Sequence, residues 1–311
     1  MGTVVLGGNE PIYTHGLRLA ESALPYIIDR LIGHGIRVAM VTSGPSATLL
    51  DGVAPSSFAA LEMLFVSLDA PDAERHDANR GAALFRQATA ALEIARARGV
   101  DSSILYCATA TNFTVPDVRS LVALASDLRT RLRVNTLKPS NPGLLSKVLD
   151  PETFIAGFQE LAEATTTDLV DDPSLRRLFG LPTSGSCPCG TTTFRISHMR
   201  EDGSLPVAPC IYVEAARAGD LTREGLCDIL EGTLFRSFAR PREGAGTDAQ
   251  PSQGYGCRAQ GVLQGTLTGA DPLADAVIGR SIEFSNGAIE EDAHLRDVFG
   301  GYLCTWMGRP R

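Results

Sequence analysis

Short apolar runs alternate with amphipathic stretches through the first half of the chain. The runs are "TVVLGG", "RVAMVTSG", "LEMLFVSLD", "SSILYCATAT" and "LRVNTLKP", and each ends in small or polar residues. Between them, Ser22 to His34, Leu84 to Arg98 and Pro116 to Arg131 carry apolar residues at helical spacing and predict helices. Gly35 and Gly99 follow two of these segments at C-cap positions, and Asp117 sits early in the third. Parallel strands need a crossover connection, so strands alternating with helices predict a parallel sheet. The pattern suits an α/β fold, a (β/α) TIM-type barrel either whole or partial, whose active-site face is lined by the residues just after each strand. Here those residues are Gly7, Gly8 and Glu10, then Thr42 and Ser43, then Ser67 and Asp69, then Thr109 and Asn112, then Lys138.

The grammar changes after Asp150. A helix from about Pro151 to Thr165 is expected, then a Gly/Pro/Cys-rich region, then a hairpin, "TTTFRISHMREDGSLPVAPC", turning at Glu201-Asp202-Gly203. A helix from about Arg223 to Phe238 follows, with Cys227 on its apolar face, and "PREGAGTDAQPSQG" reads as a flexible loop. The expected organisation is a partial barrel at 1–150, a linking helical region at 151–183 and a small α+β Cys-rich domain at 184–311.

Composition narrows the partners. With 36 acidic against 28 basic residues and a formal net charge of -8, the chain lacks the concentrated Lys/Arg surface that phosphate backbones demand, so nucleic acid is not expected. A peptide or small-molecule substrate fits better. No apolar run reaches the roughly 20 residues that cross a bilayer, and no basic region with a cleavage site opens the chain, so a cytoplasmic protein off the membrane is expected. Its 7 cysteines are odd in number, and in a reducing compartment they read as thiols or metal ligands. Cys107 sits in mid-strand, while Cys187, Cys189, Cys210 and Cys257 lie in Gly- and Pro-rich surroundings.

Taken in order, the strand ends resemble the radical S-adenosylmethionine (radical SAM) superfamily. "GGNEP", Gly7 to Pro11, is similar to its second-strand Gly-Gly-(x)-Glu-Pro motif, whose backbone and acid hold the methionine amino group of S-adenosylmethionine. "GIRVAMVTSG" resembles the third-strand Thr-Asn-Gly element, with Ser43 in place of Asn. "FVSLDAPDAERHDANRG" resembles the segment after the fourth strand, with Ala70 in place of glycine, and His76 belongs to it. "TATNFTVPDVRSLVALASDL" is similar to the next strand and helix, including Asn112, and "LKPSNPG" occupies the place of the sixth-strand Pro-Gly turn. The resemblance implies S-adenosylmethionine at Gly7, Gly8, Glu10, Pro11, Thr42, Ser43, Ser67, Asp69 and Asn112. The chemistry agrees: a zwitterionic sulfonium needs an acid for its ammonium, hydroxyls for its ribose and close backbone approach, which glycine permits. The plainer reading of the same residues makes Glu10 and Asp69 helix caps and lets Ser67 simply end a strand.

The family's chemistry uses a 4Fe-4S cluster on a C-x3-C-x2-C loop after the first strand, and this sequence contains no such motif; its first cysteine is Cys107. By resemblance the motif belongs before Thr3, so the chain is expected to be an N-terminally truncated enzyme, inactive alone, or a natural variant without the cluster. An exposed second strand would then invite a protein partner or the missing segment to cover it.

The second half resembles the auxiliary-cluster domain called SPASM, or its shorter twitch form. "CPCGTTTFRISHMREDGSLPVAPC", "AGDLTREGLCDIL" and "GYGCRAQG" follow its order, with Cys187, Cys210 and Cys257 in the ligand positions and Gly254 where a partner cysteine is usual. This implies at most one auxiliary 4Fe-4S cluster, held by those three with Cys189 or Cys304 as the fourth ligand. Four thiolates also suit tetrahedral zinc, so ligand type leaves iron-sulfur and zinc both open. The functions to be weighed are radical modification of a peptide, protein or cofactor precursor; a non-catalytic scaffold with a metal-stapled C-terminal domain; and a barrel lyase or aldolase using Lys138 as a Schiff-base amine.

Overall fold

A computed structural model describes residues 2–12, 21–139, 141–182, 193–212, 218–239, 291–300 and 305–311, with 189, 257, 273, 277, 279–282 and 289 between them. The first part runs β1 (Thr3–Leu6), α1 (Leu24–Gly33), β2 (Arg37–Thr42), α2 (Pro45–Val53), α3 (Pro55–Ala59), β3 (Met63–Ser67) and α4 (Ala73–Arg80). It continues through α5 (Phe85–Arg98), β4 (Ser102–Ala108), α6 (Val115–Leu128), β5 (Arg131–Thr136), α7 (Pro151–Ala164), β6 (Leu169–Val170) and α8 (Pro173–Leu178). Local signals set these boundaries. At the start of α6 a reciprocal cap joins Thr114 and Asp117: the Asp117 amide donates to the Thr114 hydroxyl while the Thr114 amide donates to the Asp117 carboxylate. Asp150 accepts from the Thr153 amide at 2.9 Å to start α7, where Pro151 loses no bond that the first turn would have made.

β1 to β5 pair in sequence order and all in parallel, forming one curled half-barrel sheet. This is the partial (β/α) barrel that the alternation predicts. Residues of period two face the helices: Met40, Leu64, Ile104 and Val134 pack with Leu50, Leu92, Leu121 and Phe158 in the main core. The intervening residues face inward. Ala39, Met63 and Phe65 meet Leu169, Met307 and the helix α11 (Ala293–Phe299) in a second core. Phe65 and Phe299 pack edge to face with centroids 5.4 Å apart, and the Arg133 guanidinium lies 4.5 Å over the Phe65 ring.

Three features depart from the sequence expectation. The sheet is not parallel throughout, because β10 (Trp306–Gly308) inserts antiparallel between β5 and β6. Strand and helix near the C-terminus, within the range 184–311 assigned to the Cys-rich domain, therefore pack on the barrel sheet. The long helix expected from Arg223 to Phe238 is two, α9 (Leu226–Leu230) and α10 (Thr233–Ala239), broken at Gly232, where a Cβ would come within 2.9 Å of the Ile229 carbonyl oxygen. Cys227 is exposed, and Ile229 takes the buried position on α9. The hairpin forms at the expected turn: β7 (Arg195–Ile196) and β8 (Pro206–Ala208) are antiparallel, and β9 (Gly219–Asp220) adds to β8.

Candidate functional site

The C-terminal tips of β1 to β4 lie side by side along one edge of the sheet, and side chains tie β1 to β2 and β3 to β4. At the β1 tip the backbone must pass close to β2. A Cβ on Gly7 would sit 3.0 Å from Val41 Cβ, and Gly8 has a φ of 104°, in the left-handed region that glycine tolerates. This loop delivers Glu10 to the β2 tip. One carboxylate oxygen accepts from the Thr42 hydroxyl and from the Ser46 amide at 2.8 Å, the other from the Ser43 amide at 2.9 Å and the Ser43 hydroxyl. Burial alone would raise the Glu10 pKa, but the bonds from Ser43, Ser46 and Thr42 outweigh it and hold the group below its usual value, as a carboxylate. Because Gly44 has no side chain to cap α2, Glu10 serves its first turn from a distant loop. Ser46 answers by accepting from the Ile12 amide at 2.9 Å.

At the β3 tip, the Asp69 carboxylate meets Arg80 at 2.6 Å, and its amide donates to His76 Nδ1 at 3.0 Å. His76 is fully buried, and burial depresses its pKa, so it is neutral with its proton on Nε2. The segment "HDANRG" thus fastens its own strand end. Asn112 joins this tip to the next: its Nδ2 donates to the Asp69 and Cys107 carbonyls, both at 3.1 Å, while its Oδ1 accepts from the Thr109 amide at 2.7 Å and hydroxyl at 2.9 Å. Ser67, on the inward face at the end of β3, has no side-chain hydrogen bond among the described residues. Lys138, buried after β5, donates to Thr136 Oγ1 at 2.7 Å and forms an ion pair with Asp172 at 2.9 Å. These contacts tie Lys138 to the strand end and to the start of α8.

Among the thiols, Cys189, Cys210 and Cys257 come together in one buried cluster with Phe238, and the Tyr212 amide donates to Cys210 Sγ at 3.4 Å. Among the described residues no group of three or more His, Cys, Asp or Glu has the arrangement of a metal site. Cys187 and Cys304 lie outside the described residues. Cys107 has its pKa pushed up to about 11 by burial, so it is an un-ionised thiol. What sequence reasoning missed was the set of partners: Ser46 on Glu10 and Arg80 on Asp69. A signal for the second existed, since Arg80 closes the "HDANRG" segment already singled out.

This half-barrel, with its β1–β4 tips along one edge, is a fold that the chain shares with solved structures. The solved structure of anSMEcpe with bound AdoMet matches at a TM-score of 0.57 and 16% identity, over 89% of this chain and 77% of that one. The same enzyme with bound AdoMet and the Kp18Cys peptide matches at 0.57 and 15%, over 89% and 81%, and with the Cp18Cys peptide at 0.55 and 14%, over 89% and 81%. No family model and no curated protein sequence matches the chain. The described residues contain no helix long and apolar enough to cross a membrane.

Proposed function

We propose that the chain is a radical SAM protein of the SPASM type, which binds S-adenosylmethionine across the tips of β1 to β4 and serves the modification of a peptide, a protein or a cofactor precursor in the cytoplasm. The observation that carries this reading is Glu10, an ionised carboxylate placed by a two-glycine loop against the β2 tip. An anion there suits the ammonium of the methionine moiety, Gly8 has open space where a Cβ would stand and so leaves room for close approach, and the unpartnered Ser67 hydroxyl suits the ribose. Asp69 and Asn112, fully engaged with Arg80 and Thr109, would shape the wall of the site. When bound and supplied with an electron, S-adenosylmethionine yields a hydrogen-abstracting radical. The chain's own part is to bind and orient it. The cluster thiolates that deliver the electron in this family are not among these residues. Edge strand β1, paired with β2 alone among the described residues, has backbone groups ready for a partner strand that would bring them.

In the second lobe, Cys189, Cys210 and Cys257 share one buried cluster and, although among the described residues they are not arranged as a metal site, they are the thiols on which one auxiliary iron-sulfur cluster would draw, with Cys187 or Cys304 completing it. Their shared burial and the amide donated to Cys210 Sγ suit thiolate ligands.

Equilibrium dialysis with S-adenosylmethionine tests the first part. One equivalent is expected to bind, about fivefold more weakly in Ser67→Ala, a hydrogen bond's net worth at a position where folding is undisturbed. Absence of binding sinks it. Anaerobic reconstitution followed by iron and sulfide quantification tests the second, with at most one cluster per chain and no cleavage of S-adenosylmethionine by this chain alone. A second reading, a non-catalytic scaffold, is favoured by one observation: Glu10 accepts four hydrogen bonds, which fill its acceptor positions from within the protein. That reading expects the same metal content and no bound S-adenosylmethionine.

A further inference from the structure

At the opposite end of the half-barrel, where β4 and β5 begin and α5 and α6 end, lies a cavity of about 410 Å³, within the size range of small-molecule sites. Its lining includes Arg96, Arg129, Arg131 and Arg309 against one acid, Asp101. On a chain of net charge -8 this is a local reversal of sign. Arg131 is committed to Asp101 at 2.7 Å and faces Asp168 at 3.5 Å, and Arg309 faces Asp168 at 3.7 Å. Arg96 and Arg129 have no ion-pair partner among the described residues.

The backbone supplies a second, independent observation. Arg129 caps the C-terminus of α6 with φ 53° and ψ 47°, and it is the one non-glycine residue at positive φ among the described residues. The equivalent caps of α4 and α5 are Gly81 and Gly99. A side chain in the left-handed region is disfavoured, and such strain persists where the surroundings require that residue. The carbonyl ends of α5 and α6 favour cations nearby and so explain why arginines are tolerated here. They do not explain why one occupies the position suited to glycine.

We propose that this cavity binds a small phosphate-bearing anion through Arg96 and Arg129, with the hydroxyl of Ser126, another lining residue, as a further donor. Paired guanidinium groups match phosphate oxygens in geometry and charge.

Titration calorimetry of the full chain with inorganic pyrophosphate at low ionic strength tests this. Saturable binding of one equivalent is expected, weakening as salt is added. Arg129→Gly should weaken binding at least tenfold, the size of one lost charge-assisted hydrogen bond, while its melting temperature stays equal or rises because glycine suits the cap. Arg96→Gln should weaken binding similarly without touching the cap. A nucleoside triphosphate titrated in parallel tells whether a base adds to the phosphate. Failure of the unmodified chain to saturate at millimolar pyrophosphate, or unchanged affinity in both variants, overturns the proposal.

Discussion

Strands β1 to β5 of the barrel are four to seven residues long, whereas β7, β8 and β9 of the second sheet run for two or three. The barrel buries apolar side chains on both faces of its sheet, in two cores. Among the described residues the small sheet has Val207, Ile229 and Phe235 as its buried apolar cluster, beside the one that holds the three thiols. At about 25 cal/mol per Å² of apolar burial, the described residues of the barrel contribute far more than those of the small sheet. The difference teaches that side-chain packing dominates the barrel, while in the small sheet the three buried thiols sit where the proposed cluster would add a cross-link.

The largest break in that comparison should come from Phe158→Ala. Phe158 is fully buried against Phe113 and Phe154, with centroids 5.0 and 5.1 Å away, so its loss should cost about 3–5 kcal/mol in urea unfolding. Metal content of the remaining folded protein should not change. The converse experiment is Cys210→Ser, which should lose bound metal and the lobe's resistance to protease while the barrel's unfolding midpoint stays in place. Next comes Glu10→Gln, expected to cost about 1–3 kcal/mol near neutral pH, because four donors face a carboxylate that has become an amide. The folded-state pKa of Glu10 lies below its ordinary 4.5. Its contribution is therefore complete above that value and is lost as pH falls through the lower folded one, so the variant should show a flatter stability profile in acid. Cys227→Ser should change neither stability nor metal content, since this thiol is exposed and outside the buried cluster. Any loss of metal in that variant would place a ligand on α9.

The regular part of this architecture was legible in the sequence because its signals are local. Apolar runs, Gly35 and Gly99 as caps, and Asp117 early in its helix mark units that fold from their own residues. β10 was not legible. Three residues, Trp306 to Gly308, carry no periodicity, and their place between β5 and β6 is fixed only by long-range pairing. The break at Gly232 and the exposure of Cys227 were hidden for a related reason: helical spacing assigns a face only while the helix continues. At the candidate site, the residue types were readable but their partners were not. Glu10 reaches Ser46 and Asp69 reaches Arg80 across loops whose course no periodicity encodes.

The antiparallel insertion of β10 has a consequence for biosynthesis. Residues 306–308 leave the ribosome long after β5 and β6, so those two strands lack their shared neighbour through most of translation. A nascent protein in that state exposes unpaired backbone to neighbours and to chaperones. Completion of the sheet then becomes a late event, slowed by the length of chain that has to be closed into a loop.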